Sequence, residues 1–126
     1  MLLPEEDRVR LRHMLDAARS VQRFSRGRRR EDLDADEMPA LAVVHALQTI
    51  GEAASQVSEE TREALPDIPW RPITGMRHRL VHAYADVSLD RVWDTAVHHV
   101  PGLLEQLREV VPETSSSEET EPTEDP

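Results

Sequence analysis

Ala40-Leu41-Ala42-Val43-Val44-His45-Ala46-Leu47-Gln48-Thr49-Ile50-Gly51-Glu52-Ala53-Ala54 decides the fold class. Leu41, Val44, Leu47 and Ile50 recur at three-residue steps and keep one apolar face if the segment is helical. Asp34 or Asp36 can cap this helix, Pro39 fits its first turn, and the pattern continues to about Val57. Gly51 costs about 1 kcal/mol against Ala inside a helix. Its presence predicts a close approach by a neighbouring helix.

The flanking sequence repeats the helical period. Over residues 5–25, Val9, Leu11, Leu15, Ala18 and Val21 fall near helical spacing, with Phe24 one turn on. Arg26-Gly27-Arg28-Arg29-Arg30 breaks that pattern as a basic loop or frayed end, either a solvated turn or a contact for RNA phosphates. After the quoted helix, Ser58 opens a short one over residues 59–65. Pro66 and Pro69 end it and form a rigid connector that includes Trp70. Residues 72–85 read as a further helix. Ser88 or Asp86 caps a last helix reaching Val111, with a kink near His98 to Pro101 because Pro101 lies inside it. No segment alternates long enough to demand a strand. The expectation is an all-α fold of four to five helices.

Bulk properties agree. Of the 126 residues, 38% are hydrophobic and only 3% aromatic, so Leu, Val, Ala and Met must fill the core, which suits helices better than a β-sandwich. Residues 1–111 read as one domain and residues 112–126 as an acidic disordered tail. So small a core makes a homodimer plausible. No apolar run approaches the roughly 20 residues that span a bilayer. The start of the chain lacks a basic segment followed by an apolar stretch, so no secretory signal is expected. The absence of cysteine excludes disulfides, thiolate metal sites and cysteine nucleophiles, and fits a cytoplasmic protein.

A net charge of −10 argues at first against a nucleic-acid partner. Its distribution weakens the objection: residues 112–126 hold six acids and no base, which leaves −4 on the rest. All 15 basic residues are Arg. Arg binds phosphate bidentately, although a uniform bias can also reflect genome composition.

The chemistry concentrates in Met76-Arg77-His78-Arg79-Leu80-Val81-His82-Ala83-Tyr84. At about 100° per residue from Arg77, His78 falls near 100°, His82 near 140° and Tyr84 near −20°. Met76, Leu80 and Ala83 share the other side, which can pack. Metal-free cleavage of RNA needs a base for the 2′-hydroxyl, an acid for the leaving oxygen and a cation for the phosphorane. Imidazole serves the proton transfers, and a guanidinium serves the phosphate. A symmetric dimer would bring two such sets to one cleft. Other readings stay open. His78 and His82 can bind Zn²⁺ or Ni²⁺, though no third ligand is evident. Arg77 can pair with Glu52, and Tyr84 can hydrogen-bond at the bundle's end. No metal and no cofactor are expected.

Several blocks, in order, resemble a HepT-like member of the HEPN (higher eukaryotes and prokaryotes nucleotide-binding) superfamily over nearly all of residues 7–111. They are Met14-Leu15-Asp16-Ala17-Ala18, residues 47–54, Pro66-Asp67-Ile68-Pro69-Trp70, residues 75–84, and Val92-Trp93-Asp94-Thr95 with Pro101. The resemblance implies an up-and-down helical bundle of four to five helices that dimerises, and a metal-independent ribonuclease toxin, with Arg77 and His82 catalytic. It implies a minimal nucleotidyltransferase (MntA-like) antitoxin as partner, which can neutralise the toxin by AMP transfer to Tyr84. His78 departs from the usual Asn of that family, and Glu52 looks like a family motif residue in a supporting role. Two alternatives are a non-catalytic helical partner of a nucleotidyltransferase and a nucleotide-binding sensor.

Overall fold

The structure, a computed structural model, describes residues 3–82 and 88–111, side chains at 77–82 excepted. The described residues are helical with no strand among them. The helices are α1 (Glu5–Ser25), α2 (Arg30–Ala35), α3 (Glu37–Ser55), α4 (Glu59–Ala64), α5 (Trp70–His82), α6 (Leu89–Asp94) and α7 (Val100–Val110). A π-helical turn, Thr95–His99, joins α6 to α7. None of the described helices is long and apolar enough to cross a membrane.

The quoted segment becomes α3 and lies between α1 and α5, while α7 closes the bundle against α1. Leu11, Met14, Leu15 and Val21 of α1 meet Val43, Leu47 and Ile50 of α3 and Leu104 and Leu107 of α7 in one core. Each such side chain, fully buried, contributes about 1.5–3 kcal/mol of transfer free energy. Gly51 is buried in α3. Two expected core residues face outward instead. Val9 is 43% exposed and Leu41 39% exposed, because each lies well around its helix from the buried stripe. Leu33, which the sequence reading passed over, is buried.

Helix ends follow their sequence signals. Asp36 caps α3, its carboxylate accepting from the Met38 N–H at 3.2 Å. Ser58 caps α4 and Ser88 caps α6, each hydroxyl accepting from the amide three residues on. Asp86, the other candidate cap, lies outside the described residues. α1 opens with Glu5, Glu6 and Asp7 at its positive end and closes at Gly27, whose φ of 76° is left-handed backbone that glycine adopts without strain. Three boundaries differ from expectation. Arg30 is not loop: it starts the additional short helix α2. α3 stops at Ser55 rather than near Val57. Trp70 is not connector: it is the first residue of α5, since Pro69 supplies the carbonyl for the Ile73 N–H at 3.2 Å and Pro72 falls in a first turn, where no N–H is needed.

The kink expected before Pro101 takes the form of the π turn. The Val100 N–H bonds the Thr95 carbonyl, five residues back. One extra residue is thereby absorbed before Pro101, which enters the first turn of α7.

Asp7 is buried at 4% exposure and ties α1 to the start of α4. Its carboxylate accepts from the Ser58 N–H at 3.0 Å and the Ser58 hydroxyl at 2.6 Å, and from the Thr61 hydroxyl. Burial pushes its pKa up, but the hydrogen bonds from the Ser58 side chain, Thr61 and the Ser58 amide outweigh that and hold it below the ordinary value.

Candidate active site

The helix carrying the motif is fixed at its N-terminal end. The Trp70 indole N–H donates to the Leu65 carbonyl at 3.0 Å, and the Arg62 guanidinium lies 5.9 Å from the Trp70 ring centroid. Arg62 also donates to the carbonyls of Ala54, Ser55 and Val57 at 3.1–3.2 Å. Ala54 and Ser55 lie in the last turn of α3, where carbonyls lack a partner four residues on, although the Ala54 carbonyl also accepts from the Val57 N–H at 3.1 Å. One side chain therefore joins α3, α4 and the first residue of α5. From the other side Gln106 of α7 donates to the Asp67 carbonyl at 2.7 Å. Ile73 is buried and Met76 partly buried against the core, as the apolar side of the motif requires.

Arg77, His78 and His82 belong to α5, which is helical through His82. Their side chains are outside the described residues, and so is Tyr84 altogether. Along the helix, Arg77 and His82 are separated by about 7.5 Å of rise and about 140° of turn. Glu52 sits on α3, exposed, with Gln56 at 3.5 Å from its carboxylate. α3 packs directly on α5, so Glu52 belongs to the helix beside the one that carries the motif.

Beside α5 lies a cavity of about 270 Å³ whose lining includes Ile50 of α3, Ile73 and Met76 of α5, Thr95 and His99 of the π turn, and Leu103 of α7. Its walls are mostly apolar, with a hydroxyl and an imidazole at the π turn. Asp94 approaches both imidazoles there, His98 Nδ1 at 2.9 Å and His99 Nε2 at 3.4 Å. The sequence reading missed this cluster. The Asp94-x3-His98 spacing was its signal, but only the π register brings His99 to the same carboxylate.

A family model described as "Ribonuclease HepT-like" matches residues 14–110. The chain belongs to the HepT-like ribonuclease family. The match covers α1 from Met14 to the end of α7, and the motif with it. Among its relatives, "Probable ribonuclease HepT" of Thermococcus cleftensis is 34% identical over 101 residues, 78% of this chain and 92% of its own length. "Putative RNase TTE0752" of Caldanaerobacter subterraneus subsp. tengcongensis is 33% identical over 101 residues, 80% of this chain and 90% of its own. "Putative RNase MJ1216" of Methanocaldococcus jannaschii is 27% identical over 118 residues, 93% of this chain and 98% of its own. No solved structure matches.

Proposed function

We propose that this chain is a metal-independent ribonuclease and the toxin of a HEPN/MNT toxin–antitoxin pair. The observation that carries the reading is family membership across residues 14–110 together with an intact Arg77-x4-His82-x-Tyr84 on one segment. In this reading His82 moves the proton between the 2′-hydroxyl and the leaving oxygen, and Arg77 holds the phosphate and stabilises the phosphorane. A homodimer supplies two copies of each to one cleft. His78 and Glu52 support the site, His78 as a second polar group one residue from Arg77.

The proposed antitoxin is an MntA-like nucleotidyltransferase. Its reaction joins the Tyr84 oxygen to the α-phosphorus of ATP and releases pyrophosphate. The phosphate charge so added near Arg77 and His82 opposes RNA sterically and electrostatically. The pair acts in the cytoplasm, where its RNA is.

Expression without an antitoxin tests the toxin reading. Wild type should arrest growth, and Arg77→Ala or His82→Ala should relieve the arrest while the protein stays folded and still binds a nucleotidyltransferase. Equal arrest by all three would contradict it.

The net charge of −10 favours a second reading, a non-catalytic partner that binds and positions a nucleotidyltransferase. That reading predicts no arrest by wild type and unimpaired partner binding by both variants. Residues 112–126 are proposed as a tail outside the folded domain. Deleting residues 113–126 should leave the helical circular dichroism unchanged, and a large loss of signal would contradict that boundary.

A further inference from the structure

Between them α1 and α3 carry a feature that the ribonuclease mechanism does not use. An open groove of about 350 Å³ runs between the two helices, lined by His13, Asp16, Ser20 and Phe24 of α1 and by His45 and Thr49 of α3. The α1 residues recur at helical spacing and so form one stripe. Small buried side chains, Ala17 and Ala46, make its floor.

Phe24, the chain's one phenylalanine, is partly buried against the core at the end of the groove. Two guanidinium groups are held beside it. Arg23 lies 5.4 Å from the ring centroid, and its Nη2 donates to the Ser20 hydroxyl at 3.1 Å. Arg28 Nε donates to the Phe24 carbonyl at 2.8 Å. Arg26 stands exposed between them in sequence. Arg30 of the same basic run is neutralised by Asp34 at 3.1 Å and Asp90 at 2.6 Å. Among the described residues, Arg23, Arg26 and Arg28 have no such carboxylate. Three guanidinium groups without an ion-pair partner among the described residues thus cluster in sequence at the end of α1, on a chain that is acidic as a whole.

We propose that this groove is a second RNA contact, where an unpaired base stacks on the Arg23–Phe24 pair while Arg23, Arg26 and Arg28 hold the flanking phosphates. Aromatic rings and guanidinium planes both stack RNA bases, and here one of each is already paired. Asp16 sets the polarity of the groove. A carboxylate repels phosphate but accepts from the amino groups on base edges, so the base lies along the groove and the backbone at its arginine end. Ser20 and Thr49 add hydroxyls that pair with either donors or acceptors. The ligand class is single-stranded RNA, and the groove lengthens the footprint beyond the cleavage site. This inference rests on the ribonuclease reading.

The test uses full-length His82→Ala protein, which in that reading binds RNA without cutting it, and a fluorescent single-stranded RNA followed by anisotropy. Phe24→Leu keeps an apolar side chain against the core but removes the ring. It should weaken binding roughly 5- to 150-fold, the range of one lost base stack. Exchanging Arg23 and Arg28 together for Gln touches only exposed positions. It should lower the slope of log affinity against log salt by about 1.4, the value for two phosphate contacts on a single strand. In the cleaving protein, Phe24→Leu should raise KM and leave kcat unchanged. Unaltered affinity and salt slope in both variants, with RNA still bound and cleaved by the parent, would overturn the groove alone. A folded His82→Ala protein that binds no RNA would overturn it together with the ribonuclease reading.

Discussion

Arg62 stands over Trp70, guanidinium carbon 5.9 Å from the ring centroid, and with the same fork donates to the carbonyls of Ala54 and Ser55 at the end of α3 and of Val57 just beyond it. A single residue of a six-residue helix thus ties the end of α3 to the first residue of the motif helix. Lysine keeps the charge but not the planar fork. Arg62→Lys should therefore lose about 1–3 kcal/mol, since the carbonyls of Ser55 and Val57 lose their donor. Arg62→Ala should lose more, since the contact with Trp70 goes as well. Urea unfolding midpoints check the order of the two variants. If Lys matches wild type, charge and not the fork holds the junction.

Asp7 makes stability depend on acid. Its folded pKa lies below the ordinary carboxylate value, so its contribution is complete above about pH 4, where the unfolded chain is also ionised. The contribution disappears as pH falls through the depressed folded value. Asp7→Asn keeps the shape but replaces one acceptor oxygen by a donor facing donors, at a cost of about 1–3 kcal/mol. Denaturation curves should show that gap constant from about pH 5 to 8 and shrinking below about pH 4. A gap that widens in acid would contradict the geometry around Ser58 and Thr61.

Gly27 turns the chain out of α1 with φ of 76°, and an added Cβ would meet nothing within 4 Å. The cost of Gly27→Ala is therefore backbone strain alone, about 1–2 kcal/mol. Equilibrium unfolding would measure it. A stabilised Ala variant would mean that the turn after Ser25 is not left-handed in solution.

The helices were legible in the sequence where local chemistry fixes them. The apolar period of α1, the caps Asp36, Ser58 and Ser88, and the interruption before Pro101 all depend on residues a few positions apart. What escaped depends on partners distant in sequence. α2 holds one buried apolar residue, Leu33, and its first residue is fixed by Asp90, 60 positions away. Asp7 reads as one more acid in a helix's first turn, because Ser58 and Thr61 give no sign of it from 51 and 54 positions away. Trp70 looked like connector because prolines flank it closely, yet Pro69 and Pro72 are compatible with a helix start. In the candidate site, the placement of Arg77, His78 and His82 on one helix was legible from the sequence. The meeting of Met76 with Thr95 and His99 around one cavity was not, since it needs the π register as well as the fold.

Cleavage of RNA in EDTA tests the central claim most directly, with wild-type protein beside His82→Ala after mass spectrometry has established that Tyr84 is unmodified. Cleavage of total cellular RNA by wild type and none by the variant is the predicted result. Equal cleavage by both, or none by folded and unmodified wild type, would contradict a metal-independent ribonuclease centred on His82.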